Sequence, residues 1–298
     1  MKANNTKLGI GRLCVLFGKT RHAFYDKNWY LEEKYEAEYI VLELVAQIRR
    51  ELPKIGTPKL YHMIKQPLLD HNIKMGRDAL HTLLQSQGLT VKMKKRYVKT
   101  TNSNHWMKKY PNIIKELVLT ESEQVWVSDI TYILVSGDFN YLSLITDAYS
   151  KLIVGYCLRP TLEATGSLNA LEMAILTRKK STILIHHSDR GVQYCCNNYV
   201  EMLKINNIEI SMTENGDPYE NAIAERVNGI LKNEFNLNKS LENREIALEQ
   251  IKKSIELYNE KRPHLSNNFL TPFEAHKQTG ILEKKWKPKI YNKREVRF

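Results

Sequence analysis

Cysteine is scarce in this 298-residue chain: Cys14, Cys157, Cys195 and Cys196 are all there is, and none stands in a CxxC spacing. Adjacent Cys195 and Cys196 make a poor disulfide pair, so the pattern excludes a disulfide framework and suits a reducing compartment. His62, His71 and His81 have no cysteine partners; they read as surface or satisfied helix residues rather than zinc ligands. No apolar run approaches the ~18 residues of a membrane span. The beginning of the chain is polar and basic, without the apolar region of a signal peptide. These absences together lead to the expectation of a cytoplasmic protein. A glycine-rich nucleotide loop and a GxSxG elbow are also missing, which argues against a Rossmann enzyme or an α/β-hydrolase. Finally, no acid occurs between Val91 and Lys115.

What is present is positive charge. The formal net charge is +12 and the pI about 9.3, which favours a polyanionic partner over a neutral one. The acid-free stretch carries Lys92, Lys94, Lys95, Arg96 and Lys99 around Tyr97, then His105, Trp106, Lys108 and Lys109. Basic groups interleaved with aromatics suit a phosphate backbone, and a solvated linker that orders on binding is compatible with the same composition.

The chain has room for about two domains. Before the basic stretch the pattern is helical. Ile10, Leu13, Cys14 and Phe17 recur at helical spacing, Gly18 breaks the helix, and Thr20 can cap a second one carrying Arg21, His22 and Tyr25. A small helix-turn-helix over residues 8 to 30 is expected, with an ordinary helical hairpin as the plainer reading. Tyr35 to Leu52 reads as an amphipathic helix ended by Pro53; Thr57-Pro58 opens another, and Arg77 to Gln87 a third closed by Gly88. From Glu121 the period changes to that of strands. Gln124–Val135, Phe139–Thr146 and Leu152–Leu158 form a meander with a Ser136-Gly137-Asp138 turn. A helix (Thr161–Arg178), a strand (Thr182–His187), a helix (Val192–Ile205) and a strand (Ile208–Met212) follow, which is an α/β sandwich pattern. A closing helix runs from Leu241 to Tyr258.

Three carboxylates stand out in this second half. Asp129 falls in the middle of Val125-Trp126-Val127-Ser128-Asp129-Ile130-Thr131-Tyr132-Ile133, where aspartate is disfavoured. Asp189 follows the apolar run Ile183-Leu184-Ile185, beside a glycine that permits a sharp turn. Glu225 lies on a helix whose start is marked by Asp217, Pro218 and Glu220. Alone, Glu225 reads as a solvated residue of an amphipathic helix. Converging with the two aspartates, it completes an all-oxygen ligand set for a hard divalent cation. Ala222, Glu225, Gly229 and Lys232 share one helix face, with Ile223, Val227, Ile230 and Leu231 turned inward. Asp147 is a rival ligand, read in preference as a turn residue before Ala148-Tyr149-Ser150. His186 and His187 read as strand-end packing or support for Asp189.

These residues resemble a known family. Trp126-Val127-Ser128-Asp129-Ile130-Thr131-Tyr132, His187-Ser188-Asp189-Arg190-Gly191-Val192-Gln193-Tyr194, and Gly216-Asp217-Pro218 leading to Asn221-Ala222 and Glu225 match the OrfB transposases of the IS-three insertion-sequence family. These are DDE recombinases with a retroviral-integrase-like catalytic core. Lys232, Tyr258-Asn259, Arg262-Pro263-His264, Thr271-Pro272 and Glu274 add to the match, as do the 35 residues between Asp189 and Glu225. Gly56-Thr57-Pro58-Lys59-Leu60 resembles the family's helix-turn-helix segment. Thr213-Glu214-Asn215 departs from the family, whose members more often carry a small or basic stretch there.

The resemblance implies an RNase H-like mixed five-stranded sheet with flanking helices, preceded by an all-α helix-turn-helix region. The expected division is 1–90 helical DNA-binding region, 91–115 basic linker, 116–279 catalytic domain and 280–298 basic tail. It implies a DNA transposase of a bacterial insertion sequence with Asp129, Asp189 and Glu225 as catalytic and metal-binding residues, holding Mg²⁺ or Mn²⁺, two ions in all. Lys232, Arg226, Lys92, Lys94, Lys95, Arg96, Lys99, Arg21 and Arg77 are the expected DNA contacts. Expected partners are double-stranded DNA (terminal inverted repeats and target), further copies of the chain on DNA, and the product of an upstream frame; a nucleoid-associated location follows. A DNA-binding repressor with an inactive core and an RNase H-like nuclease without strand transfer are the rival readings.

Overall fold

A computed structural model describes residues 9–91, 106–179, 182–214 and 218–285 of the chain. They fall into two units: residues 1–50 with 56–90, and residues 51–55 with 91–298.

The first unit is helical. Gly18, at φ +62, follows α1 (Ile10–Leu16), and the Thr20 hydroxyl accepts from Ala23 N at 3.1 Å to start α2. The two helices expected on either side of residue 30 are one: α2 runs Arg21–Glu51 without interruption. No glycine or proline lies between its ends, so nothing in the backbone chemistry breaks it. The helix-turn-helix expected over residues 8–30 has its two helices and the turn at Gly18 and Thr20, but its second helix continues far past residue 30. Phe17 is exposed and only Cys14 of its stripe is buried, while Trp29, Tyr30, Tyr35 and Tyr39 of α2 face solvent. Tighter packing comes later. In α3 (Thr57–Asp70) Leu60, Ile64 and Leu68 are buried, as are Leu80, Leu83 and Leu84 in α4 (Arg77–Ser86), and these two helices pack together. His62, His71 and His81 are exposed, as their spacing suggests.

The second unit is built on one sheet. β1 (Val125–Val135), β2 (Asp138–Asp147) and β3 (Ile153–Arg159) form an antiparallel meander. Ser136 and Gly137, at φ +53 and +90, make the tight first turn, whose twist matches the flanking strands. After α5 (Ala164–Thr177), β4 (Leu184–Ser188) joins β1 in parallel. Next come α6 (Val192–Cys195), α7 (Asn197–Ile205) and β5 (Ile208–Met212), which pairs parallel with β4. The order β3-β2-β1-β4-β5 is the mixed five-stranded sheet expected. A 3₁₀ turn (Pro218–Asn221) leads into α8 (Ala222–Glu234); α9 (Arg244–Glu260) and the short α10 (Pro272–Ala275) complete the unit.

The helix expected over Val192–Ile205 is divided at Cys196, whose backbone is extended. The break has a packing reason. Tyr194 and Tyr199 contact each other edge-to-face at 5.4 Å, and both lie against His186. Five residues apart on a continuous helix, they would point about 140° away from each other. His186 itself is fully buried and bonded to the Tyr199 hydroxyl at 2.9 Å.

Strand alternation sorts β1 between two cores. Trp126 and Ile130 join the cluster with Ala170, Leu171 and Ala174 of α5 and Tyr199 and Leu203 of α7. Val125 and Val127 join a smaller cluster with Ala224 of α8. Asp147 proves to be the turn residue its sequence context indicates. Its Oδ1 accepts from both Ser150 N and Ser150 Oγ, and its Oδ2 from Glu123 N, all at 2.7 Å.

Gly155 marks a close approach of α5 to β3. A Cβ there would stand 2.1 Å from the Ala170 carbonyl oxygen and 3.0 Å from Ala174 Cβ, so α5 would have to move off β3. Gly155→Ala is expected to destabilise the fold by roughly 1–3 kcal/mol or more through overpacking. Gly229→Ala in α8, where a Cβ meets nothing within 4 Å, should instead stabilise by about 0.5–1 kcal/mol. Urea unfolding of both variants checks the pair; equal behaviour would contradict the packing described.

Candidate active site

The register of the central strands sets the site. β1 pairs with β4 as Val125 with Ile185, Trp126 with His186 and Val127 with His187, so each β1 residue lies beside the one sixty positions later. Continued by two residues, that register puts Asp189, just past the end of β4, level with Asp129. Asp129 follows Val125 and Val127 in the alternation, so its side chain turns toward α8. Its Oδ1 accepts from Ile130 N at 2.9 Å and its Oδ2 from Asn228 Nδ2 of α8 at 2.7 Å.

Asp189 Oδ1 accepts from Gly191 N at 3.0 Å. Gly191 has φ −66, a conformation open to any residue, so it does not serve the sharp turn its sequence suggested. Space is the reason for the glycine: a Cβ would sit 3.0 Å from Asp189 Oδ1 and 3.1 Å from Gln193 Oε1.

Glu225 arrives on the first turn of α8 and is exposed. The helix proper starts at Ala222, four residues later than Pro218, which belongs to the 3₁₀ turn. The cap expected at Asp217 lies outside the described residues. Other groups fix this end of α8. Asn221 Nδ2 donates to Ser128 O at 3.0 Å, one residue before Asp129 on β1. His187 donates from Nε2 to Glu220 O at 3.1 Å and accepts at Nδ1 from Ser211 Oγ at 2.8 Å. Burial lowers the pKa of His187, consistent with a neutral ring holding these two bonds. Asn221 and Asn228 thus pin α8 on both sides of the central aspartate. Sequence reading assigned neither a role. The available signal was Asn228 itself, a polar residue among the inward positions Val227, Ile230 and Leu231.

The electrostatics follow from this gathering. Burial pushes Asp129 up to about 7, and the neighbouring charge of Asp189, then that of Glu225, adds to the rise; the bonds from Asn228 and Ile130 oppose it. Partial burial raises Glu225 as well. Lys232, two turns beyond Glu225 on α8, places Nζ 3.6 Å from the centre of the Tyr132 ring. Burial brings its pKa down to about 8, with Asp129 pulling the other way. Among the described residues, no three His, Cys, Asp or Glu side chains are yet close enough together to hold one metal ion.

The other expected DNA contacts are dispersed. Arg226 is exposed beside Glu225. Arg21 lies over the Tyr25 ring at 5.6 Å, and Arg77 pairs with its neighbour Asp78 at 2.9 Å. Lys92, Lys94, Lys95, Arg96 and Lys99 lie outside the described residues. Glu214, the departure noted in the sequence, accepts from Asn112 N at 3.2 Å and so helps tie the incoming segment to the end of β5.

The shift of Asp129 carries a stability consequence. A carboxyl whose folded pKa is about 7, against an ordinary 3.8, favours folding fully only below pH 4. Its contribution declines as pH rises toward 7 and is level above that. Asp129→Asn removes the titration, and Asn228, whose Oδ1 has no hydrogen-bond partner among the described residues, can turn its amide to accept from the new side chain. In chelator-treated protein the variant should be at least as stable as wild type at pH 8, with the difference shrinking toward pH 5. Denaturant midpoints at both pH values measure it; a variant less stable at pH 8 would contradict the account.

Known proteins share this arrangement of sequence. The family model for an integrase core domain matches residues 120–218, and a second integrase core domain model matches residues 206–272. The insertion element IS600 uncharacterized 31 kDa protein of Shigella sonnei is 35% identical over 268 residues, covering 87% of this chain and 96% of that protein. The transposase for insertion sequence element IS629 of Shigella sonnei is 32% identical over 235 residues, 77% of this chain and 79% of its own length. Among solved structures, the HTLV-2 integrase catalytic core domain in complex with magnesium aligns with 52% of this chain and 97% of its own, at 18% identity and a TM-score of 0.42. With a chain-long likeness to these relatives and integrase-core matches spanning the sheet and α8, the chain belongs to the IS-three family of insertion-sequence transposases.

Proposed function

We propose that this transposase cuts DNA at the ends of its element and joins the freed ends to another phosphodiester, using Asp129, Asp189 and Glu225 as its catalytic carboxylates. The observation that carries the assignment is the placement of the acids. Asp129, in mid-sheet, lies level with Asp189 and feels the charge of both Asp189 and Glu225, in a fold where Asn221 and Asn228 hold α8 against β1. Asp147, the rival, has both oxygens committed, one to Ser150 in the turn after β2 and the other to Glu123 N just before β1.

The donors fit a divalent cation in kind: three carboxylates and no soft ligand, the set that Mg²⁺ or Mn²⁺ takes. Their mutual repulsion gives the affinity a physical source, since a cation relieves it. Asp129, Asp189 and Glu225 would hold such ions between them. Two ions bound there supply Lewis acidity at the phosphorus and stabilise charge on the attacking and leaving oxygens.

The chain's own groups do the positioning. Gly191 N holds Asp189, Asn228 and Ile130 N orient Asp129, and Lys232 stands on the Tyr132 ring within reach of a phosphate. In the first step water adds to phosphorus as the bond to the 3′ oxygen breaks, leaving a 3′-OH. In the second that hydroxyl oxygen attacks a second phosphodiester, one P–O bond forming as another breaks, so no protein-bound intermediate is required. The partners this implies are double-stranded DNA carrying the element's ends, target DNA, and further copies of the chain. Among the described residues no helix is long and apolar enough to cross a membrane.

Asp129→Asn, Asp189→Asn and Glu225→Gln should each reduce cleavage of a labelled element-end duplex by more than a thousandfold, on the order of a lost electrostatic or metal contact at a transition state, while leaving DNA binding near wild type. Asp147→Asn, if it folds, should keep cleavage. Lys232→Ala should slow cleavage and joining more than it weakens overall binding, because many other basic groups remain. Near-normal cleavage by any one triad variant removes that residue from the site. A wild type that hydrolyses its true ends and never joins them would make the protein a nuclease instead.

A further inference from the structure

Next to the carboxylates is a groove that their chemistry does not use. Asp129 and Asp189 line it together with Ile130, Tyr132, Tyr141, Leu162, Val192 and Tyr194. Tyr132 and Tyr141 face each other directly across β1 and β2, so their rings are neighbours on one face of the sheet. Gln193 Nε2 donates to Leu162 O at 2.8 Å, tying α6 to the segment before α5 and fixing the width of the groove. Tyr194, 2% exposed, closes the floor of the groove. The lining is aromatic and apolar apart from its two carboxylates and a few polar groups.

We infer that this groove takes an unpaired nucleobase from the nucleotide that flanks the reacting phosphate. The inference rests on the reading of Asp129 and Asp189 as the site of phosphoryl transfer. A phosphate held at these two residues brings the base of its own nucleotide within reach of the groove. A base still stacked in duplex DNA cannot present its flat face to Tyr132 or Tyr141; one swung out of the helix can, and aromatic rings accept any base by stacking. The Gln193 side-chain oxygen, its amide nitrogen held by Leu162 O, supplies an acceptor for the edge of the base. The groove thereby makes opening of the terminal base pairs part of substrate binding, and it ties the choice of cleavage position to how easily those pairs open.

The test uses the full-length protein without metal, mixed with a duplex that carries the element's terminal repeat and an adenine–thymine pair beside the scissile phosphate. If the adenine enters the groove, the thymine opposite is left unpaired and becomes reactive to permanganate. Reactivity should rise several-fold on binding wild type, and a mismatch at that pair should tighten binding about tenfold, because the opening is already made. Tyr141→Ala should lose both effects and Tyr141→Phe keep them. Leu162 is 38% exposed on a connecting segment, so Leu162→Trp fills the groove without disturbing the core; it too should lose both effects. A thymine that stays at duplex reactivity with wild type, or a mismatch that changes nothing, overturns the inference. Addition of Mg²⁺ separates the two claims. Cleavage with an unreactive thymine sinks the groove and leaves the catalytic reading standing, whereas a reactive thymine without cleavage does the reverse.

Discussion

Burial of Asp129 beside the charge of Asp189, with a smaller push from Glu225, is the constraint around which this unit is arranged. A lone aspartate in mid-strand, half-buried, is already disfavoured as an ion. Here two more carboxylates act on it, and burial with their charge lifts it to about 7. Neutral donors orient these carboxylates, with the Lys232 charge close to Asp129. Ile130 N and Asn228 Nδ2 each take one oxygen of Asp129, and Gly191 N takes one of Asp189. Neutral amides orient carboxylates without cancelling their charge, so the electrostatic tension stays available to a cation.

Holding that tension requires stiff elements, and the family motifs away from the acids supply them. Arg262 is buried and bonds Glu234, the last residue of α8, through Nε and Nη2 at 2.8 and 2.7 Å. Its Nη1 reaches His264 Nε2 at 2.8 Å. Asn259 takes both backbone groups of Ile153 at 3.0 Å, mimicking a neighbouring strand at the sheet edge, and the Tyr258 hydroxyl donates to Lys151 O. Thr271 and Glu274 form a reciprocal cap on α10. These residues touch no reacting group. They fix the C-terminal end of α8 and the edge of the meander.

Much of this was legible in the sequence. The period-2 run around Asp129 and the apolar run before Asp189 located both strands, and a meander succeeded by alternating helices and strands marked the α/β class. The spacing of Glu225 and Lys232 correctly placed them on one face of α8. Two kinds of information were not legible. Sequence periodicity does not show where a helix fails to stop, so α2 was divided in two although nothing between Arg21 and Glu51 interrupts it. Nor does it show tertiary demands on the backbone, such as the break at Cys196 that lets Tyr194 and Tyr199 both reach His186. Gly191 was read as a turn former when its role is to leave room for Asp189. Asn228 was invisible as a site residue because its partner lies ninety-nine positions away.

The convergence of the carboxylates is most directly tested by following the Asp129 side-chain carboxyl by NMR as pH is varied, with and without Mg²⁺. The account predicts an apparent pKa near 7 in metal-free protein, falling by two units or more when the ion is added, since a bound cation favours the ionised form. A pKa near 4 that does not respond to Mg²⁺ would show that Asp129 feels neither its neighbours nor a metal, and would contradict the site proposed.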